Sequence, residues 1–155
     1  MRKILLAMGA IGASLAIAAP AHANEARIEA RGGVFWGYGD SEGTAGVAVG
    51  YDFDLGQSAF AGVEASGDKI LVDGTKVAFG LSGRLGLKAG DATKVYGLGG
   101  YTTEPFDGGE DSWHAGAGVQ QKLGSAFYIK AEYRHFFVEN WDDADAVVGG
   151  VGLTF

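Results

Sequence analysis

The sequence contains no cysteine and only two prolines in 155 residues. The first absence excludes a disulfide framework, thiolate zinc or iron–sulfur sites and cysteine-nucleophile chemistry. The scarcity of proline, with aromatics at 12%, does not suit a disordered linker. Basic residues are few: twelve Lys and Arg against nineteen Asp and Glu give a net charge of −7. A nucleic-acid backbone calls for clustered cations, so no nucleic-acid partner is expected. After residue 23 no stretch approaches the roughly 18 consecutive apolar residues of a spanning helix. Glycine, in contrast, is abundant, with 28 residues and no G-X-Y period, which excludes collagen.

The first 23 residues read as an address. Arg2 and Lys3 form a positive start, Ile4 to Ala19 is apolar, and Ala21-His22-Ala23 is an A-x-A cleavage signal. The pattern predicts a signal peptide over 1–23, export by the general secretory route, and one domain over 24–155. Removal of 1–23 takes away two basic residues and no acidic one, leaving a net charge of −9.

Residues 24–155 alternate with period 2, the strand signature. Ala45, Val47, Val49, Tyr51 and Phe53 share one parity, Gly46, Gly50 and Asp52 the other. The same pattern places Val77, Phe79, Leu81, Leu85 and Leu87 against Lys76, Ser82, Arg84 and Lys88. Eight strands are expected, at 26–37, 44–53, 59–67, 75–88, 93–102, 112–121, 126–137 and 145–155. Short turns at 54–58, 89–92 and 122–125 alternate with longer loops around 38–43, 68–74, 103–111 and 138–144. That alternation is the pattern of an all-β, eight-stranded antiparallel up-and-down barrel in an outer membrane.

Alternation alone also fits a soluble sandwich. Three features favour the membrane. Aromatics gather at strand ends: Phe35, Trp36, Tyr38, Tyr101, Trp113, Phe136, Phe137 and Trp141 by the loops, and Tyr51, Phe53, Phe60, Phe127, Tyr128 and Phe155 by the turns. Two such belts suit two membrane interfaces. The polar parity carries charges of both signs at Arg27, Glu29, Arg31, Glu64, Lys76, Arg84, Lys94, Lys130, Glu132 and Arg134, as a paired lumen network requires. The terminal Phe155, ending an amphipathic strand, resembles the signal read by the barrel-assembly machinery.

The glycine-rich strand Val95-Tyr96-Gly97-Leu98-Gly99-Gly100-Tyr101 carries a family resemblance, together with Gly116-Ala117-Gly118-Val119, Ala131-Glu132-Tyr133-Arg134 and the final element Val147 to Phe155. Residues 24–155 resemble the small eight-stranded outer-membrane barrels of the opacity-protein and outer-membrane-protein-A type. The sequence departs from the latter in that no peptidoglycan-binding domain follows. The resemblance implies a monomer at the cell surface of a Gram-negative bacterium, embedded in outer-membrane lipid, and it implies no cofactor.

Eight strands enclose a lumen just filled by side chains. Ion-paired Arg84, Arg134, Glu64 and Glu132 should plug it, with inward glycines such as Gly46, Gly50, Gly80, Gly116 and Gly118 leaving them room. A structural or surface-interaction role is therefore expected, with a porin-like small-solute channel as the alternative and a soluble β-sandwich or lipocalin-like carrier as a third reading. The long loops, with Asp145 at the edge of the last, hold twelve acidic residues against Lys69 alone. They offer Asp107, Glu110, Asp111, Asp142 and Asp143 as weak divalent-cation ligands, and Trp141 and Phe106 as anchors for an extracellular partner. A catalytic role is not expected. His114 and His135 fall on opposite parities, which does not suit a set with Ser112 and Glu132, and no Gly-x-Ser-x-Gly elbow occurs.

Overall fold

The computed structural model describes residues 24–37, 39–139 and 142–155; the expected signal peptide lies outside the described residues. Eight strands follow in order: β1 (Glu25–Gly37), β2 (Asp40–Asp54), β3 (Ala59–Ile70), β4 (Ala78–Ala89), β5 (Thr93–Thr102), β6 (Ser112–Leu123), β7 (Phe127–Val138) and β8 (Ala144–Thr154). Each pairs antiparallel with its neighbour in sequence, and β1 also pairs with β8, closing the barrel. Strands of 10 to 15 residues match or exceed the roughly 9–11 that cross a bilayer when tilted. No described helix is long and apolar enough to cross a membrane.

The pleat sorts the side chains. Along β4, Phe79, Leu81, Leu85 and Leu87 point outward, each more than 60% exposed, while Ser82 and Arg84 between them are buried. Burying charge inside and exposing large apolar side chains would be unstable in water. It is the stable arrangement when hydrocarbon surrounds the wall. The soluble-sandwich and carrier readings fall with it.

The lumen is built on a recurrent three-strand rule. A long polar side chain on one strand meets its partner two strands away, and an inward glycine occupies the strand between. Arg27 and Glu64 both stand opposite Gly50. Asp52 and Arg84 both stand opposite Gly62. Tyr96 and Glu132 flank Gly118, and Tyr128 and Glu29 flank Gly152. A Cβ on Gly50 would lie 2.5 Å from the Arg27 guanidinium carbon, and one on Gly62 would lie 2.4 Å from Asp52 Oδ1. The glycine content is thus the space over which lumen contacts are made.

The three tight turns lie at one end; at Gly90 and Gly124 the backbone takes φ of 81° and 86°, a left-handed conformation that favours glycine. At the other end, three details differ from the sequence expectation. The β1–β2 connection is short, because pairing continues to Gly37 and Asp40. Strand β4 begins at Ala78 rather than 75; the preceding segment is a loop in which Thr75 Oγ1 donates to the Ile70 carbonyl at 2.6 Å. Asp68 lies within β3, not in a loop.

The aromatic belts also need amending. Trp36, Tyr101, Trp113 and Phe137 are exposed at the loop end, and Phe53, Phe127 and Phe155 at the turn end. Phe60 and Tyr128 are instead buried inside, where Phe60 packs against Tyr96 with ring centroids 6.3 Å apart.

Candidate functional site

The lumen carries a stack of ion pairs running from the turn end to the loop end. At the turn end, Asp52 accepts from Arg84 Nε at 2.8 Å and from Lys94 Nζ at 2.9 Å. Glu25 pairs with both Lys94 and Lys122. The Arg84 guanidinium lies over the Tyr96 ring, 4.7 Å from its centroid, so its flat faces are covered as well as its edges.

Glu64 is the hub of the middle layer. It accepts from Arg27 at 2.7 Å, from Arg31 at 2.8 Å and from Arg134 at 2.8 Å, with Lys130 Nζ 3.5 Å away. Lys130 also stands 2.6 Å from Glu29 and 3.2 Å from Glu132. Glu132 takes Arg134 Nε at 2.5 Å and the Tyr96 hydroxyl at 2.8 Å; Glu29 takes the Tyr128 hydroxyl at 2.7 Å. These side chains are almost wholly buried. Charges removed from water to this degree persist only when paired on several sides.

Toward the loops, Arg31 binds both carboxylate oxygens of Asp68. His114 is held between Ser82 at 2.8 Å and Thr102 at 3.0 Å. Above this level the lumen opens into a vestibule of about 80 Å³ with mostly apolar walls.

Arg27, Glu29, Arg31, Glu64, Arg84, Lys130, Glu132 and Arg134 meet in this stack. Lys76 does not. It stands in the loop before β4, partly exposed, pairing with Glu104 and, at 3.2 Å, Asp107. The hydrophobic alternation runs unbroken through Val77, but strand pairing starts one residue later, so parity alone misplaces Lys76. Asp52, Asp68, Tyr96, Gln120 and Tyr128 are further members of the stack. The signal for Asp52 was its position on the polar parity of β2. Asp68 continues the parity of Glu64 and Ser66 past the expected strand end at 67, and its partner is Arg31.

The loop acids remain apart. Asp111 accepts the Glu104 N–H at 2.8 Å and the Tyr101 hydroxyl, and these two bonds, the tyrosine's first, hold its carboxyl below the ordinary range. Lys76, beside Glu104 and Asp107, is held above its ordinary value. Asp143 caps the Val138 N–H at 3.2 Å and faces His135 at 3.5 Å. Glu110 lines the vestibule, Asp142 is exposed, and Trp141 lies outside the described residues. Among the described residues, no three carboxylates or histidines converge as a metal site. Phe155, 58% exposed, donates its N–H to the Ala26 carbonyl at 2.9 Å on the closing strand.

The chain resembles solved proteins in fold. No curated protein matches in sequence. Among solved structures, it is similar to the N-terminal β-barrel domain of Pseudomonas aeruginosa OprF, with 17% identity and a TM-score of 0.60 over 84% of this chain and 97% of that one. It is also similar to Ail, the attachment invasion locus protein of Yersinia pestis, with 15% identity and a TM-score of 0.59 over 85% and 97%. The outer membrane enzyme PagL matches at 15% identity and a TM-score of 0.59 over 81% and 97%. This last finding corrects the expectation that catalysis is excluded: the same barrel carries an enzyme, so fold and parity do not rule an activity out. The sequence matches the outer membrane protein beta-barrel domain over residues 5–155. With a closed eight-stranded wall, apolar outside and charged within, the chain belongs to that family and is an outer-membrane β-barrel protein.

Proposed function

We propose that this barrel is a sealed scaffold that presents acidic loops at the cell surface, where they meet a partner. One observation carries the reading: the hub at Glu64, where four cationic side chains converge on one carboxylate in the middle of the lumen. Opening a path there requires several buried pairs to part together, and each unpaired ion costs several kcal/mol. The loop end supplies the face: Asp40, Asp73, Asp107, Asp111, Glu139, Asp142 and Asp143 are all exposed. Such a rim favours a cationic partner by long-range attraction. In biogenesis, Phe155 is the residue offered to the barrel-assembly machinery.

A small-solute channel is the second reading, and a specific observation favours it. Arg27 Nη2, Ser66 Oγ and Gln120 Nε2 are buried without a hydrogen-bond partner among the described residues. Polar atoms left unpaired along a lumen are places where water gains entry.

Planar-bilayer recording separates the two. The protein purified from outer membranes is compared with an Arg84→Ala/Arg134→Ala variant. A silent wild type, with conductance appearing in the variant, supports the sealed scaffold. Steady wild-type conductance overturns it in favour of the channel.

A further inference from the structure

We propose that the outer wall of β4–β7, at its loop end, seats one lipid of the surrounding leaflet, selected for a headgroup of net positive charge. The seat lies on the lipid side of the wall, so the state of the lumen does not bear on it. Strand register builds its upper part. Tyr101, Trp113 and Phe137 are successive partners across β5, β6 and β7, and all three are exposed on the outward face. The Tyr101 and Trp113 rings meet edge to face with centroids 5.2 Å apart, and Phe79 on β4 extends the row. These rings floor a depression of about 1180 Å³.

The loops give the same depression its charge. Glu104, Glu110, Asp111, Glu139 and Asp143 line it, against the single cation Lys76. Lys76 is already paired with Glu104 and Asp107. Aromatic faces and an excess of carboxylates both attract a cation and disfavour a phosphate.

Directly below the ring row the wall is hollowed. Two residues along from Tyr101 and Trp113, on the same face, stand the partners Gly99 and Ala115, with Gly83 on the other side of Gly99. Gly83, Gly97 and Gly99 line a shallow trough of about 590 Å³ beside Leu85. These outward glycines do not serve the lumen. A Cβ on Gly83, Gly97 or Gly99 would stand 4.0, 3.8 or 3.6 Å from the nearest wall atom, which is ordinary contact, whereas one on Gly50 or Gly62 would strike a lumen side chain. Glycine inside a strand costs conformational freedom and packs nothing. Here it makes room outside the barrel. A hydrocarbon chain lying in the trough carries its head past the ring row to the carboxylates. The trough is continuous with the lipid-facing wall, which makes the occupant a lipid of the bilayer and not a soluble cation.

The test uses the protein purified from outer membranes and placed in phosphatidylcholine nanodiscs. Brominated lipids with identical chains carry either a trimethylammonium or a phosphoglycerol head and quench tryptophan fluorescence on contact. Trp36→Phe/Trp141→Phe leaves Trp113 as the reporter. Trp113→Phe/Trp141→Phe leaves Trp36 on β1, three strands away, which reports general attraction to an acidic protein. The trimethylammonium lipid is expected to quench Trp113 with about two- to fivefold the apparent affinity of the phosphoglycerol lipid, beyond any preference seen at Trp36. Gly97→Val/Gly99→Val fills the trough with residues that strands favour, and Glu139→Gln/Asp143→Asn removes charge from the head site. Each pair, placed in the Trp113 reporter, should bring the preference down to the level at Trp36, with a heat-modifiable gel shift showing that the barrel is folded. Equal preference at the two tryptophans, or an unchanged preference in either variant, overturns the proposal. So does phosphoglycerol-lipid quenching that rises with Mg²⁺ to match the cationic lipid, because the occupant is then an anionic lipid bridged by metal.

Discussion

Tyr128 on β7 donates its hydroxyl to Glu29 on β1 at 2.7 Å, across a strand that places only Gly152 between them. A Cβ at Gly152 would lie 2.4 Å from the tyrosine Cζ and 2.5 Å from the Ile28 carbonyl oxygen. The carbonyl belongs to the wall and cannot step aside. Gly152→Ala is therefore expected to destabilise the barrel by about 1–3 kcal/mol, the usual cost of overpacking. Urea unfolding in lipid vesicles, followed by tryptophan fluorescence, measures it; an unchanged midpoint would contradict the account of glycine as lumen space.

Glu64 balances Arg27, Arg31, Arg134 and Lys130. Glu64→Gln keeps the shape and removes the charge, leaving buried cations unopposed. The expected loss is about 3–5 kcal/mol, as for other broken buried pairs. In the same vesicle assay, a loss under about 1 kcal/mol, the size expected of a surface pair, would mean the hub is not dry.

Leu85, 63% exposed and midway along β4, faces hydrocarbon. Leu85→Arg should cost about 2–4 kcal/mol if its height is the bilayer midplane. Refolding yield into vesicles would report the loss, and a neutral outcome would place the β4 wall outside the apolar core.

Asp111 links loop 103–111 to Tyr101 and is held below its ordinary value by that hydroxyl and the Glu104 N–H. Its contribution is present in full above the unfolded carboxylate value of 3.8 and disappears only as pH falls through the lower folded value. Amide exchange at Glu104 should stay slow at mildly acidic pH and rise below that range. Asp111→Asn should exchange fast throughout; rapid wild-type exchange at neutral pH would refute the clasp.

Much of this architecture was legible in the sequence. The alternation through Phe79, Leu81 and Leu85 reports which faces meet lipid, and lipid contact is what fixes strand orientation in a membrane. The inward glycines were visible on the polar parity. Pairing ends were less legible, because Val77 alternates correctly without being hydrogen-bonded into the strand, and Lys76 was misplaced with it. Phe127 and Tyr128 are adjacent aromatics near a strand end, and only one of two neighbours can point outward. Phe127 takes the lipid side, while Tyr128 lies across Gly152. The vestibule could not be read at all. It depends on Ala146 standing opposite Arg134, which is a matter of register between two strands.

The seam between β1 and β8 has a consequence for the order of events in assembly. Ala26 and Phe155 exchange backbone hydrogen bonds at 3.2 and 2.9 Å, and they lie at opposite ends of the described chain. Until β8 pairs with β1, both edge strands present a row of unpaired amides and carbonyls, which hydrocarbon does not tolerate. A half-built wall therefore has no stable place in the bilayer. Closure and insertion must be completed together, through the β1–β8 ladder and the Ala26–Phe155 bonds beside it.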